Sequence, residues 1–171
     1  QKQVYRVSSL AMQLEVNIDK DWTIESLNGL RLLKAVAQLH EIGLLIEYKQ
    51  YHKHTAYILE NTDMPGFSQS EHKLIVAVAD AHRSDFPKGC FNSLGVNSLL
   101  AQYIVRLLRI SVILSMRRQD DVLPKFELTA KNEVLDLKFE SSWLNNHPLM
   151  ASELQQESKQ QGKLGWKLIV N

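Results

Sequence analysis

The sequence predicts a mainly α protein: a helical domain over roughly residues 1–123, followed by a small α+β annex over roughly residues 124–171. Three observations carry this. Apolar residues recur at helical spacing through the first two thirds of the chain, as in Val4, Val7, Leu10, Ala11 and Leu14. The run SLLAQYIVRLLRISVILSMRR is apolar on most sides, as a central helix must be. After Pro124 the period changes to two: Phe126, Leu128 and Ala130 alternate with polar residues, then Leu135, Leu137 and Phe139 do the same.

The elements follow in order. Residues 1–16 read as a first helix, and NIDKDW as a polar break. A second helical run covers TIESLNGLRLLKAVAQLHEIGLLI, with Thr23 or Ser26 as N-cap and Gly43 either ending it or sitting at a close approach. HTAYILEN is a further helix. MPGF is a turn, and Ser68 with Glu71 three residues later forms a capping box that opens a buried helix through LIVAVADAH. RSDFPKGCFNSLGVN is a loop before the long apolar helix. In the annex, a hairpin turns at Lys131-Asn132. A helix then starts near Pro148 and ends near Gly162, and WKLIV makes a last short strand.

Composition excludes several function classes. The 171 residues carry a formal net charge of +1, so no global field draws the chain to nucleic acid or membrane. One cysteine, Cys90, rules out a disulfide framework or a Cys-based zinc site, and no positioned base accompanies it as a nucleophile. No signal peptide and no bilayer-length apolar run stand out, which leads to a cytoplasmic expectation. The opening QKQVYRVSSLAMQLE starts without Met inside a helical pattern, which reads as a fragment of something longer.

The residues that suggest chemistry lie in LHEIGLLIEYKQYHKHTAYIL. His40, Glu41, His54 and, further on, His82 resemble the ligand pattern of the HD-type metal phosphohydrolases, where imidazoles and carboxylates hold a divalent ion. Two members of that pattern are absent. A His is expected near Arg6 and an Asp around Arg109–Ser111, and neither is there. The reading is therefore a degenerate HD-like pocket of His40, Glu41, His54 and His82 without metal or catalytic residues. The open alternatives are hydrogen bonding in a helical core, or a polar pocket for a ligand.

The same residues carry a closer resemblance. His40-Glu41-Ile42-Gly43, then His54-x-x-Ala56-Tyr57-Ile58-Leu59, then Asp63-x-Pro65-Gly66-Phe67 are similar to the C-terminal HD-like region of the exopolyphosphatase and guanosine pentaphosphate phosphatase family. SMRRQDDVLP and HPL favour the guanosine pentaphosphate branch. The resemblance departs before Trp22, where the family has a further helix and this chain has no room for one. It implies a parent enzyme that hydrolyses phosphoanhydride bonds of polyphosphate or pppGpp with Mg. Its catalytic residues would lie in an N-terminal actin-like module that this chain lacks. This part would take no cofactor of its own; it would help bind the polyanionic substrate and form a homodimer. An active HD-type hydrolase and a purely helical interaction module are the alternatives.

Binding a polyanion needs Arg and Lys. At about 100° per residue, Arg106, Arg109 and Arg117 share an arc of about 80° on the long helix. Each must pair with an acid such as Glu41, Glu60, Asp80 or Asp120, contact a carbonyl, or face an anion. Lys49, His52 and Lys53 in YKQYHKH form a second candidate cluster, either a solvated loop or a phosphate contact.

Overall fold

The structure, a computed structural model, describes residues 2–116 and 123–171. It is mainly helical with a three-stranded sheet near the C-terminus, as expected. Helix α1 covers Lys2–Trp22, α2 Leu30–Leu39, α3 Tyr51–Glu60, α4 Gln69–Ala81, α5 Ser98–Leu114 and α6 Pro148–Gly162. Strand β1 is Phe126–Lys131, β2 Val134–Phe139 and β3 Leu168–Val170.

Several boundaries correct the sequence reading. NIDKDW is not a break: α1 runs through it, because Leu14, Ile18 and Trp22 continue the buried stripe at four-residue spacing. Its polar residues occupy the outer positions. No separate helix fits before Trp22. Thr23 is no N-cap; it takes a left-handed φ of 51° and its N–H returns to Asp19 O at 2.7 Å, closing α1. Residues 23–29 form turns, and α2 starts only at Leu30. The helix expected from His54 begins at Tyr51, so half of YKQYHKH is the first turn of α3. The capping box at Ser68 and Glu71 forms in both directions, at 3.1 and 2.9 Å.

Helix α5 is the axis of the body, and it packs against α1, α2, α4 and α6. By length and composition the stretch Asn92–Leu114 could cross a membrane, contrary to the sequence reading. Here most of it is buried inside the fold, and Gly95 at φ 56° kinks it ahead of α5. The sheet order is β1-β2-β3, antiparallel then parallel. Phe126 faces Phe139, Leu128 faces Leu137 and Ala130 faces Leu135, the register that the period-two pattern predicts. Leu128, Leu135, Leu137, Leu168 and Trp166 join the same apolar cluster as the helices, so one contiguous core spans both parts.

Candidate functional site

The first turn of α3, the C-terminal end of α4 and the segment after α2 bring three imidazoles together. His40 and His82 meet edge to face with ring centroids 5.3 Å apart, and His52 and His82 do so at 6.2 Å. All three are buried. His40 and His82 each turn Nδ1 to a carbonyl three residues back, Ala37 O and Ala79 O, both at 2.6 Å. The Nε2 of His82 faces the Tyr51 hydroxyl at 3.4 Å. His40 Nε2 lies 3.8 Å from Glu41 Oε1. His54 does not enter this cluster; it points outward, with Nε2 3.9 Å from Glu47 Oε2.

Burial pulls the pKa of all three rings down. For His52 it falls to about 4, helped by the nearby cations Arg83, Lys53 and Arg109. The rings are therefore neutral at pH 7. Among the described residues, no three His, Cys, Asp or Glu side chains converge so as to hold an ion. With Nδ1 bonded to a carbonyl, His40 and His82 each present Nε2, and those atoms face different groups, the Glu41 carboxylate and the Tyr51 hydroxyl.

Gly43 explains the motif better than metal does. It lies in a 3-10 turn, Ile42–Leu45, pressed on the start of α3. Its N–H donates to Thr55 Oγ1 at 2.9 Å, and that hydroxyl donates to His40 O at 2.8 Å. A methyl group on Gly43 would come within 2.0 Å of Tyr51 O and 2.5 Å of Thr55 N. Backbone cannot yield there, so Gly43→Ala is expected to cost at least about 2–3 kcal/mol, read as a fall in Tm by circular dichroism. An unchanged Tm would show that the turn is not pinned. Pro65-Gly66-Phe67 is likewise architectural. Arg31 donates to Gly66 O, bonds Glu71 Oε2 at 2.5 Å and stacks 4.6 Å from the Phe67 ring.

The candidate anion arginines turn inward. Arg106 is 0 % exposed and Arg109 4 %. Arg106 donates from Nε to Gln161 Oε1 at 2.7 Å, from Nη1 to Glu133 O at 2.7 Å and from Nη2 to Lys167 O at 2.9 Å. Burial pulls its pKa down to about 10, so it stays charged at neutral pH. Arg109 grips both oxygens of Glu157 through Nε, at 3.0 and 2.9 Å. It also donates to Ala81 O and Ser84 O, each at 2.7 Å. Gln161 closes the network with a bond from Nε2 to Glu157 Oε2 at 2.9 Å. Both guanidiniums are buried and bond the protein through all three nitrogens, so an anion groove on α5 is corrected to an internal polar network. The acid partner is Glu157, none of those anticipated. Arg117 lies outside the described residues.

What faces solvent is a different set. Lys49 and Lys53 are exposed, while His52 is not. Beside them lies Arg83, which sequence reasoning missed. Its guanidinium carbon sits 5.0 Å from the Tyr48 ring centre and 4.8 Å from that of Tyr51, and Nη2 donates to the Tyr48 hydroxyl at 3.3 Å. No carboxylate pairs with Arg83 among the described residues. Tyr48, Tyr51 and Arg83 thus form a basic-aromatic ledge, and the exposed Lys49 and Lys53 lie within two residues of its tyrosines in the sequence. Its only sequence signal was the Arg directly after His82.

Comparison with known proteins agrees with the motifs. The family model described as Ppx/GppA phosphatase, domain III matches residues 1–158. A protein of Pseudoalteromonas translucida named guanosine-5'-triphosphate,3'-diphosphate pyrophosphatase is 73 % identical over 171 residues, all of this chain and 34 % of the relative. Proteins of the same name are 40 % identical over 162 residues in Aeromonas salmonicida and 36 % identical over 166 residues in Aliivibrio fischeri. They match 94 % and 97 % of this chain, and 33 % of each relative. The chain spans about a third of the length of the curated relatives it matches. It belongs to the Ppx/GppA phosphatase family, as the part of those proteins that the family model describes as domain III.

Proposed function

We propose that this chain is the C-terminal domain of a pppGpp phosphatase and that it helps hold the polyanionic substrate without supplying the catalytic groups. The relatives' printed name supports the guanosine substrate over polyphosphate. The observation that carries the binding role is Arg83, laid across Tyr48 and Tyr51 with no carboxylate paired to it among the described residues, and with Lys49 and Lys53 exposed close to those tyrosines in the sequence. A guanidinium braced by two rings loses little freedom when its fork closes on a phosphate. Catalysis, and the Mg it uses, belong on this reading to the rest of the polypeptide, and pairing of two copies belongs to the whole protein.

The test is steady-state kinetics of the full-length enzyme. Arg83→Ala is expected to raise KM for pppGpp about tenfold, the loss of one charge-assisted hydrogen bond of roughly 1.4 kcal/mol, with kcat unchanged. Arg83→Lys restores part of the loss, and Lys53→Ala adds to it while flattening the salt dependence of KM. A KM within about twofold of wild type in the Arg83→Ala, Lys53→Ala double variant would sink the proposal.

A further inference from the structure

A groove of about 940 Å³ lies between α1, α2 and the turn after α2, lined by Val4, Tyr5, Met12, Leu39, Ile42 and Leu45. It is not a substrate cleft, since its walls are chiefly apolar and its only charges, Lys34 and Glu41, are opposite in sign. Tyr5 is 75 % exposed and Leu45 83 % exposed. Ile46 and Tyr48, just after the groove residues in the sequence, are also exposed. Isolated apolar residues on a surface need no explanation, but a contiguous hollow of this kind marks a contact.

We infer that this groove is the seat for an apolar surface of the rest of the same polypeptide, the domains that the relatives carry beyond this one. The inference rests on the reading of this chain as one part of a longer protein. Two facts select that occupant over a second copy. The relatives are about three times as long as the matched region, and the family model is numbered as a third domain, so a large folded partner shares the chain. The first turn of α1, with Val4 and Tyr5, forms one wall of the groove. A partner tethered in the same polypeptide meets that wall at an effective concentration on the order of millimolar, whereas a second copy must find it at its own concentration. The chemistry asked of the partner is also defined: aliphatic or aromatic side chains to fill the hollow, with an acid opposite Lys34 and a base opposite Glu41.

The test uses the full-length protein and two variants at exposed positions, Tyr5→Asp and Leu45→Asp, followed by hydrogen exchange and by light scattering. Amides of the first turns of α1 and of residues 42–46 are expected to exchange at least about tenfold faster in each variant than in wild type. Oligomeric state should not change, and protection in α5 should persist, which shows that the domain still folds. Equal exchange in wild type and both variants would overturn the proposal. So would dissociation of an oligomer by the same variants, which would assign the groove to a second copy. Arg83→Ala should leave the exchange of this groove untouched. A flat KM in that variant would therefore count against the binding ledge alone.

Discussion

Replacing Arg109 with Met is expected to lower the stability of the domain by about 3–5 kcal/mol, which strands Glu157 as an unpaired buried carboxylate. Arg109 and Glu157 are each 4 % exposed, and their contacts at 2.9 and 3.0 Å are the only ion pair Glu157 makes among the described residues. The loss has two further parts. Ala81 O and Ser84 O lose their donor just where α4 ends, and Phe86 loses the guanidinium stacked 4.1 Å from its ring. In a chain of this size the fall in Tm should be on the order of 10 °C. The double variant Arg109→Met, Glu157→Leu should recover much of it, because removing both charges removes the desolvation cost as well as the attraction. A single variant within about 1 kcal/mol of wild type by urea unfolding would show that the pair is replaceable.

The second large effect is acid lability. His40, His52 and His82 are held neutral by burial, so the unfolded chain takes up protons that the folded chain refuses. A base with a lowered folded pKa contributes its stability above the unfolded value and forfeits it as pH falls toward the folded one. For His52 that window runs from 6.5 down to about 4, worth roughly 3 kcal/mol across it. Stability should therefore drop by about 1.4 kcal/mol per pH unit for each proton gained on unfolding. Two acids work the other way, since burial also raises the Asp80 carboxyl. Burial, with Asp19 beside it, raises Glu15 from 4.5 to about 7, so the folded chain holds a proton there that the unfolded chain releases. The observed slope is the histidines less these acids. Thermal melts between pH 7.5 and 5 should show Tm falling steeply, less steeply in His52→Asn and more steeply in Glu15→Gln. A Tm flat over that range would mean that water reaches the rings.

What the sequence made legible depends on how local the deciding interaction is. The hairpin could be read to its register because alternation is a property of adjacent residues, and the capping box because Ser68 and Glu71 are three apart. The course of α1 through NIDKDW was misread because local polarity was given more weight than the 14-18-22 spacing that buries Ile18 and Trp22. The family was legible in His40–Gly43 and Asp63–Phe67, where backbone approach and a clipped turn leave few residues that fit. The fate of Arg106 and Arg109 was not legible. Helical phase put them on one arc, but their side-chain partners lie 55 and 48 residues away on α6, and no local pattern announces Gln161 or Glu157. Arg83 escaped notice for the same reason: what makes it a candidate contact is the pair of rings it rests on, one of them 35 residues earlier.

Arg106 grips the annex in a particular manner. Two of its three bonds there end on main-chain oxygens, at Glu133 and Lys167. Those carbonyls are present whatever side chain the residue bears. Evolution is therefore free to rewrite positions 133 and 167, both on the outside, without loosening the joint, whereas position 106 tolerates nothing but the forked cation. Saturation mutagenesis should find the two outer positions permissive and the inner one nearly invariant. Homologous annexes can drift far in sequence while hanging from the same peg.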